Sequence, residues 1–502
     1  MWKPTYIFCL SYKMRYPIYT PNVKPYLKSL HEAIESGWVS SQGEFINKAR
    51  LRLQYMIGTP YVVMTNNGTS STHLLYLSLK FKYPYLKTIY VPNYVFVAVW
   101  NCALYEYPAD MLRVMDVNPD TLNMCEDEAY LRSLEPNAAV VVVHNVGNVV
   151  NVPRMKRIRP DLIIVEDVCE AFMEQYEGSV VGTASLCAGL SFFANKMVTS
   201  GEGGAFYTAD KELYEFIYRT CHHGMTSERY IYDTLGYNYR MTNLQAALLY
   251  DQLLDIDAII SQKRTVYSRY TKLFPTETTT TGIWMFAVRL PTVRDSNHMC
   301  RVLSTYGVDI RPMFYDIHDH AHLQEIKALS DDFHHEQVVM IPSSSTLTAF
   351  DQVYIATRIH QYATNTLSPL EIVEGTADLI EAFARNEMPS TFRYFKNRVI
   401  PDCIKSHVIS LIGLIENEPV AYAHIDFEEK NWIGICVLPA FHRRGYGRII
   451  MQFLIDYARV VDINTLFLTV DIDNTGAQNL YTTLGFTVCD KTSDHFSMIK
   501  VI

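Results

Sequence analysis

The 502-residue chain lacks any excess of positive charge: 44 lysines and arginines stand against 53 aspartates and glutamates, a net charge of −9. That excludes a nucleic-acid polymer as the main partner, because neutralising a phosphate backbone takes a basic face. Small phosphate-bearing molecules stay open, since backbone amides bind phosphate without net positive charge. Close cysteine pairs are missing too. The 10 cysteines are scattered with no CxxC, which excludes a disulfide framework or zinc knuckle and fits reduced thiols in a cytoplasmic protein. No apolar run reaches membrane-spanning length. Residues 1–13 carry an apolar patch (Tyr6–Leu10) without a small-residue cleavage site, so they read as a candidate disordered extension rather than a signal peptide. Repeats and low-complexity tracts are absent.

What is present is a globular composition, 49% apolar and 19% charged, in a chain too long for one ordinary core. Tyr61–Met64, Thr88–Val91, Ala138–His144 and Leu162–Val165 read as strands buried on both faces. Each precedes a polar loop and a helical segment, the pattern of a largely parallel sheet. Ligands bind at the C-terminal ends of such strands, where Asn67-Gly68-Thr69, Pro92-Asn93-Tyr94, His144-Asn145 and Glu166-Asp167 stand. Leu244–Ile260 reads as one long helix, and a smaller mixed lobe runs to about Tyr362. The softer stretch 364–375 reads as a linker. Beyond it, Val408–Leu414 and Val420–Phe427 read as paired strands and Trp432–Leu438 as a third. Helix Arg448–Arg459, strand Leu466–Val470 and helix Thr475–Leu484 complete a second α/β unit. The expected division is 14–363, linker 364–375, and 376–502.

Lys196 stands out in Phe192–Gly204, FFANKMVTSGEGG. An amine at the edge of an apolar layer sheds desolvation cost by losing its proton, which makes Lys196 a candidate Schiff-base nucleophile. A lysine capping a strand would look the same in isolation. Gly68-Thr69-Ser70, at a strand-to-helix turn, form a candidate phosphate cradle, although such residues often only cap a helix. Asp167 ends a strand where a carboxylate can pair with a protonated ring nitrogen, as structural aspartates also do. Phe96 is placed to stack on a planar group or to pack in the core. A phosphate cradle, a stacking ring, a carboxylate for a pyridinium and a Schiff-base lysine together meet the needs of pyridoxal 5′-phosphate.

The stretches NNGTSSTHL, VPNYVFVAVWN, MDVNPDTLN, VEDVCEA, SFFANKMVTSGEGG and GYNYRMTNLQAAL, in that order from about Tyr16 to Tyr362, resemble the DegT/DnrJ/EryC1/StrS sugar aminotransferases. The wording is most similar to 4-aminotransferases of the perosamine synthase kind. The resemblance implies fold type I, a large parallel-rich sheet domain plus a small α/β lobe, acting on a nucleotide-linked keto-sugar. It implies that Lys196 is the cofactor-bearing lysine, Asp167 the partner of the ring nitrogen, and Glu170 a neighbour of the cofactor's phenolic oxygen. Gly68, Thr69, Ser70 and Ser191 would hold the phosphate and Phe96 would stack on the ring. Asn238 matches a residue that reaches the neighbouring subunit's cofactor, which implies a homodimer with shared sites. Arg311, Tyr315 and His318 border the sugar site. Val95 and Val99 stand where the family usually has hydroxyl residues. The implied chemistry is ping-pong: glutamate gives its amino group to the cofactor, which passes it to the sugar ketone while Lys196 shuttles the proton.

His318-Asp319-His320-Ala321-His322 has metal-like spacing, but its place in a sugar-site loop favours a structural role. The doublets His222-His223 and His334-His335 lack partners. No metal is assigned.

In the last third, Arg443-Arg444-Gly445-Tyr446-Gly447 lies between a strand and a helix, so its amides can wrap a pyrophosphate. With Asn474-x-x-Ala477-x-x-Leu480-Tyr481 and Leu484-Gly485-Phe486, the region resembles the GNAT acetyltransferases from about Pro389 to Cys489. That implies acetyl-CoA as co-substrate, bound through Arg443–Gly447 and Asn474. Tyr481 would protonate the departing thiolate, its plain alternative being a core tyrosine. His442 stands where the family usually has Arg or Gln. His424, Asp426 and Glu428 are candidates for the general base, with a bound water as the alternative.

The combined expectation is a 4-keto-6-deoxy sugar nucleotide aminated by one domain and N-acetylated by the other, for glycan synthesis. The alternatives are 3-amination, or a non-catalytic aminotransferase-like scaffold carrying a protein-directed acetyltransferase.

Overall fold

The structure, a computed structural model, describes residues 14–327, 333–395, 398–427 and 430–502. The extension expected at 1–13 lies outside the described residues. By its internal contacts the chain divides into two compact units, one within Met1–Tyr267 and Thr276–Thr346, the other Ser268–Pro275 with Leu347–Ile502.

The first unit is built on a seven-stranded sheet: β1 (Tyr61–Thr65), β2 (Ile89–Pro92), β3 (Leu112–Met115), β4 (Ala139–Val143), β5 (Ile163–Asp167), β6 (Ala188–Ser191) and β7 (Gly204–Thr208). Its order is β1-β7-β6-β5-β4-β2-β3. Neighbours are parallel except around β7, which runs antiparallel to both β1 and β6. Ala139–Val143 is AVVVV and wholly buried, as expected of a central strand covered on both faces. Helix α1 (Gly68–Lys82) follows β1; Asn67 caps its first turn, and Lys80 and Lys82 complement the dipole at its end. A second sheet, β8 (Phe286–Arg289), β9 (Arg311–Pro312) and β10 (Val338–Ile341), has the order β8-β10-β9 and is antiparallel.

The helix expected over Leu244–Ile260 is two helices, Asn243–Leu254 and Ile256–Leu273. They part at Asp255, whose N–H bonds Gln252 O instead of continuing the ladder and whose carboxylate accepts from the Tyr26 hydroxyl at 2.8 Å. No glycine or proline marks the break, so the apolar periodicity ran through it.

The second unit holds an antiparallel sheet in the order β11 (Glu371–Glu374), β12 (His407–Ile415), β13 (Glu418–Asp426), β14 (Ile433–Val437). Strand β11 falls inside the stretch read as a linker: Ile372 is buried and its backbone pairs with Gly413. Helix α2 (Tyr446–Val460) follows β14. A further sheet, β15 (Thr465–Asp471), β16 (Thr487–Lys491) and β17 (His495–Val501), has the order β15-β17-β16, with helix α3 (Thr475–Thr483) after β15. Among the described residues no helix is long and apolar enough to cross a membrane.

Candidate active sites

In the first unit, α1 ties the site together. Its first-turn amides at Gly68 and Thr69 have no intrahelical partner. Ser70 is different: its N–H is taken by the Asn67 side chain (2.8 Å), and its hydroxyl donates to Asn66 (2.7 Å). An added Cβ at Gly68 would sit 2.6 Å from the Ser191 Cβ and 2.7 Å from its Oγ. Glycine is therefore what lets the helix start abut the end of β6. One turn on, Thr72 donates its hydroxyl to Asp167 Oδ2 at 2.7 Å. Asp167 closes β5, registered against Val143 and Gly189, and its Oδ1 accepts from Cys169 N at 3.0 Å. It is 5% exposed, and each of its oxygens accepts one of these hydrogen bonds, which leaves acceptor capacity on the carboxylate.

Lys196 projects from the loop after β6. Its Nζ lies 3.9 Å from the Trp284 ring centroid and 3.6 Å from Glu170 Oε1. The Trp284 indole N–H donates to Asn195 O (3.0 Å), and the Tyr19 hydroxyl donates to Lys196 O (3.2 Å), so ring and lysine are braced from two sides. Glu170 Oε2 accepts from Val146 N at 2.8 Å. Burial raises the Glu170 carboxyl above its usual range, against the pull of the Lys196 charge. Cys169, Glu170, Ser191, Lys196 and Trp284 line one cleft.

Phe96 lies in the turn after β2, 56% exposed, its ring centroid 6.3 Å from that of Phe314. That turn also holds the Arg311–His318 loop: Asn93 donates to Asp316 (2.6 Å) and accepts from Ile317 N (2.9 Å). Arg311 pairs with Asp309 (3.0 Å), and Tyr315 bonds Asn297 (2.8 Å). The His318 ring nitrogens bond Asp316 Oδ1 (3.0 Å) and Ile326 O (2.9 Å). That imidazole braces its own loop. The Asn238 carbonyl accepts from Asn66 Nδ2 (3.3 Å) and its side chain from Arg240 Nε (3.0 Å), beside the start of α1 in the same chain. Val95 and Val99, at 2% and 3% exposure, pack in the apolar core under α1, where a hydroxyl would need a partner.

In the second unit, β14 and β15 meet at the parallel bridge Trp432–Phe467 and then part into separate sheets. The loop after β14 turns through two left-handed residues, Arg443 (φ 60°) and Gly445 (φ 81°), and enters α2 at Tyr446. The His442 ring bonds Val437 O at 2.8 Å, folding the loop back on its strand. Arg443, Arg444 and Gly445 are exposed, whereas the Tyr446 side chain is buried, leaving its backbone as the part a ligand can meet. A Cβ at Gly447 would touch only Leu480 at 3.4 Å and Val437 at 3.9 Å. Asn474 caps α3, accepting from Ala477 N at 3.2 Å. Tyr481, on α3, is 8% exposed, and burial pushes its phenol up to about 12. His424 and Asp426 sit on β13, both buried; Glu428 lies outside the described residues.

Sequence reading did not single out Thr72, Trp284 or Tyr394. Thr72 had a signal, since it lies one turn after Gly68 on the same helix. Trp284 and Tyr394 had none, because only tertiary folding brings them in.

The DegT/DnrJ/EryC1/StrS aminotransferase family profile matches residues 23–360, and the acetyltransferase (GNAT) family profile matches 375–486. GDP-perosamine synthase of Escherichia coli O157:H7 is 27% identical over 365 residues, 70% of this chain and 99% of that protein. GDP-perosamine synthase of Caulobacter vibrioides is 31% identical over 315 residues, 58% of this chain and 83% of that protein. Among solved structures, Helicobacter pylori PseC, an aminotransferase involved in the biosynthesis of pseudoaminic acid, superposes with a TM-score of 0.62 at 20% identity. That match covers 70% of this chain and 99% of PseC. The E. coli GDP-4-keto-6-deoxy-D-mannose-3-dehydratase with bound hydrated PLP gives 0.62 at 19%, over 71% of this chain and all of the other. At these identities the likeness is one of fold.

Proposed function

The chain belongs to the DegT/DnrJ/EryC1/StrS aminotransferase family through residues 23–360 and carries a GNAT acetyltransferase domain at 375–486, and from that premise we propose a two-step synthesis of an acetamido sugar nucleotide. The first step moves the amino group of glutamate to C4 of a 4-keto-6-deoxy sugar nucleotide. GDP is the favoured nucleotide, because the curated relatives named above are GDP-perosamine synthases. The second step acetylates the new amine from acetyl-CoA. The motive is chemical: a primary amine leaves one site, and primary amines are what the other site's class accepts. We assign amination to 14–363 and acetylation to 376–502, with β11 of the second unit's sheet lying in the stretch 364–375 between them, in a cytoplasmic homodimer serving glycan synthesis. Exposed Trp38 (60%), Tyr230 (69%) and Leu235 (81%) support a subunit interface.

The observation that carries the first step is the reach of one helix. Through Gly68, α1 abuts Ser191, and through Thr72 it fixes Asp167, while Lys196 stands over Trp284 at the same cleft. These residues fit pyridoxal phosphate: the space at Gly68 that a Cβ would fill lies against the Ser191 hydroxyl, beside free helix amides. When bound, the cofactor supplies an electron sink for the carbon that gains or loses a proton. Gly68, Thr69 and Ser191 hold its phosphate, and Phe96 covers its ring. Asp167, oriented by Thr72 and Cys169 N, keeps the ring nitrogen protonated. Lys196 Nζ takes a proton from the donor carbon and returns one to the sugar carbon. The Trp284 face and Glu170 keep that amine at the cleft between the two transfers.

In the second step, the amides from Arg443 to Gly447 hold the pyrophosphate of acetyl-CoA at the positive end of α2. Tyr481, kept protonated by its burial, gives its proton to the leaving sulfur.

Titration with pyridoxal phosphate tests the premise. Wild-type protein is expected to gain a visible absorbance band that Lys196→Ala lacks. A chain that binds no cofactor would instead be an aminotransferase-like scaffold.

A further inference from the structure

Within the second unit, four polar side chains converge at a place neither the pyrophosphate loop nor Tyr481 explains. His407 opens β12, His424 and Asp426 close β13, and Tyr394 comes from the segment before helix Ile400–Lys405. The Tyr394 hydroxyl lies 2.6 Å from His407 Nε2 and 3.1 Å from Asp426 Oδ1. Asp426 Oδ1 is 3.2 Å from His407 Nε2 and 3.7 Å from His424 Nε2. The far nitrogen of His407 meets Ser410 Oγ at 2.7 Å. The His407, His424 and Asp426 side chains are 1%, 2% and 7% exposed, whereas Tyr394 is half-buried and reaches the surface.

Its position in the fold gives this cluster a use. His424 pairs with Gly434 and Tyr422 with Cys436 across β13 and β14, so these four share one face of the sheet. Gly434 follows Trp432, where β14 is bridged to Phe467 before the strands part. A Cβ at Gly434 would collide with the His424 ring. Helix α3, which carries Tyr481, comes to the same strand: Leu480 beside Tyr481 and Val437 beside Cys436 lie 3.4 and 3.9 Å from the position of a Cβ at Gly447. Gly434 and Cys436 are two residues apart, roughly 7 Å along a strand. The proton donor for sulfur and the polar cluster therefore flank one stretch of β14.

A metal ion fits poorly. The His407 and His424 rings are stacked, 4.4 Å between centroids and 10° between planes. Parallel imidazoles aim their Nε2 lone pairs side by side, so a single ion cannot lie in both ring planes.

We infer that Tyr394, His407 and Asp426 are the proton acceptor of the acetyl-transfer site, with the Tyr394 hydroxyl touching the incoming amine and His407 and Asp426 acting through it. The inference rests on the acetyltransferase reading above and names the base that reading leaves open. An acceptor arrives as R–NH3+ and must lose two protons to become R–NH–acetyl. The first passes to the Tyr394 oxygen as the Tyr394 hydroxyl proton moves to His407 Nε2, in the tautomer whose Nδ1–H donates to Ser410. The Asp426 carboxylate stabilises the imidazolium so formed. The nitrogen lone pair then makes the C–N bond, and the C–S bond breaks with its electrons going to sulfur. Sulfur receives the second nitrogen proton through Tyr481, and His407 returns its own to water through Tyr394.

The groups facing this relay are Arg398, whose guanidinium lies 4.2 Å from the Tyr394 ring centroid, Cys403, Tyr422, His424 and Asp426. Burial pushes His424 down to about 4, so it stacks as a neutral ring. Burial disfavours the Asp426 charge, but the two histidines outweigh it and hold the carboxyl below its usual range.

The test uses the full chain, acetyl-CoA and GDP-4-amino-4,6-dideoxymannose, following release of the CoA thiol across pH. Tyr394→Phe and His407→Gln are expected to lower kcat on the order of 100-fold and to remove the fall in rate at acid pH, while acetyl-CoA binding by calorimetry stays as in wild type. Should His407→Gln lose acetyl-CoA binding through misfolding, the half-exposed Tyr394→Phe decides alone. Wild-type acetylation with an unchanged rate and pH profile in Tyr394→Phe overturns the inference and leaves the acetyltransferase reading standing. No acetylation by wild type overturns the reading and the inference together. Activity lost to a chelator and restored by zinc overturns the relay in favour of a metal.

Discussion

Thr72 and Asp167 are joined by a 2.7 Å hydrogen bond in which the threonine hydroxyl donates and the carboxylate accepts. The bond links the second turn of α1 to the end of β5. The helix that offers its N-terminus to a phosphate thus also aims the carboxylate at a ring nitrogen.

Thr72→Val keeps the side chain's shape and removes that donor. A hydrogen bond to a charged group is worth about 1.5–3 kcal/mol, so pyridoxal phosphate affinity is expected to fall roughly 10- to 100-fold. An absorbance titration of the cofactor reads this directly. An unchanged affinity would show that the backbone N–H of Cys169 orients Asp167 alone.

Gly68→Ala puts a Cβ against Ser191, a backbone-anchored neighbour that cannot swing away. Overpacking of this kind costs about 1–3 kcal/mol, and here the cost falls at the phosphate end of the site. Lower thermal stability together with weaker cofactor binding is the expected pair of results, and Ser191→Gly in the same chain should restore part of the stability but not the binding, because it removes a phosphate-holding hydroxyl.

Glu170 supplies a pH dependence of known sign. Burial raises its carboxyl above the ordinary 4.5, so the folded protein holds this proton more tightly than the unfolded chain. Its stabilising contribution is complete below pH 4.5 and is lost as pH rises through the raised value. In the cofactor-free protein, Glu170→Gln is expected to gain in melting temperature relative to wild type on going from pH 4.5 toward neutrality. A constant difference across that range would contradict the assignment.

Lys263 titrates in the opposite sense. It is wholly buried, donates to Trp284 O (2.8 Å) and Ser343 O (2.7 Å), and burial pushes its amine down to about 7 from 10.5. The unfolded chain therefore binds more protons between these values. The contribution of Lys263 is full above pH 10.5 and is lost as pH falls through about 7. Wild type should lose melting temperature against Lys263→Met as pH is lowered from 10 toward 6.5, the span set by those two values. Trp284 stands under Lys196, so the same variant is expected to weaken cofactor binding.

Much of the first site was legible because its parts sit at strand ends, where a short polar word follows a buried run. Gly68, Asp167 and Lys196 were marked this way, Glu170 and Ser191 only through the family resemblance, and the structure gathers Glu170, Ser191 and Lys196 at one cleft. Trp284 was not legible, since it comes from the approach to β8 and nothing local ties it to Lys196. Asp255 hid a helix break because it interrupts the hydrogen-bond ladder without interrupting the apolar pattern. Strand β11 was taken for linker because Glu371–Glu374 is too short to show alternation and lies among turn residues. In the second unit, the glycine words at Gly445 and Gly485 gave away the loop and the end of α3. The histidine cluster needed three separate segments to be folded together before His407 and Tyr394 had any meaning.

The central claim is that both reactions occur on this chain in sequence. Mass spectrometry of the products from GDP-4-keto-6-deoxymannose, 15N-glutamate and acetyl-CoA tests it most directly. The account predicts one sugar nucleotide bearing both the 15N label and an acetyl group when all three substrates are present, and the free 15N-amino sugar nucleotide when acetyl-CoA is withheld. Accumulation of the free amino sugar nucleotide alone, with acetyl-CoA present and unconsumed, would contradict it.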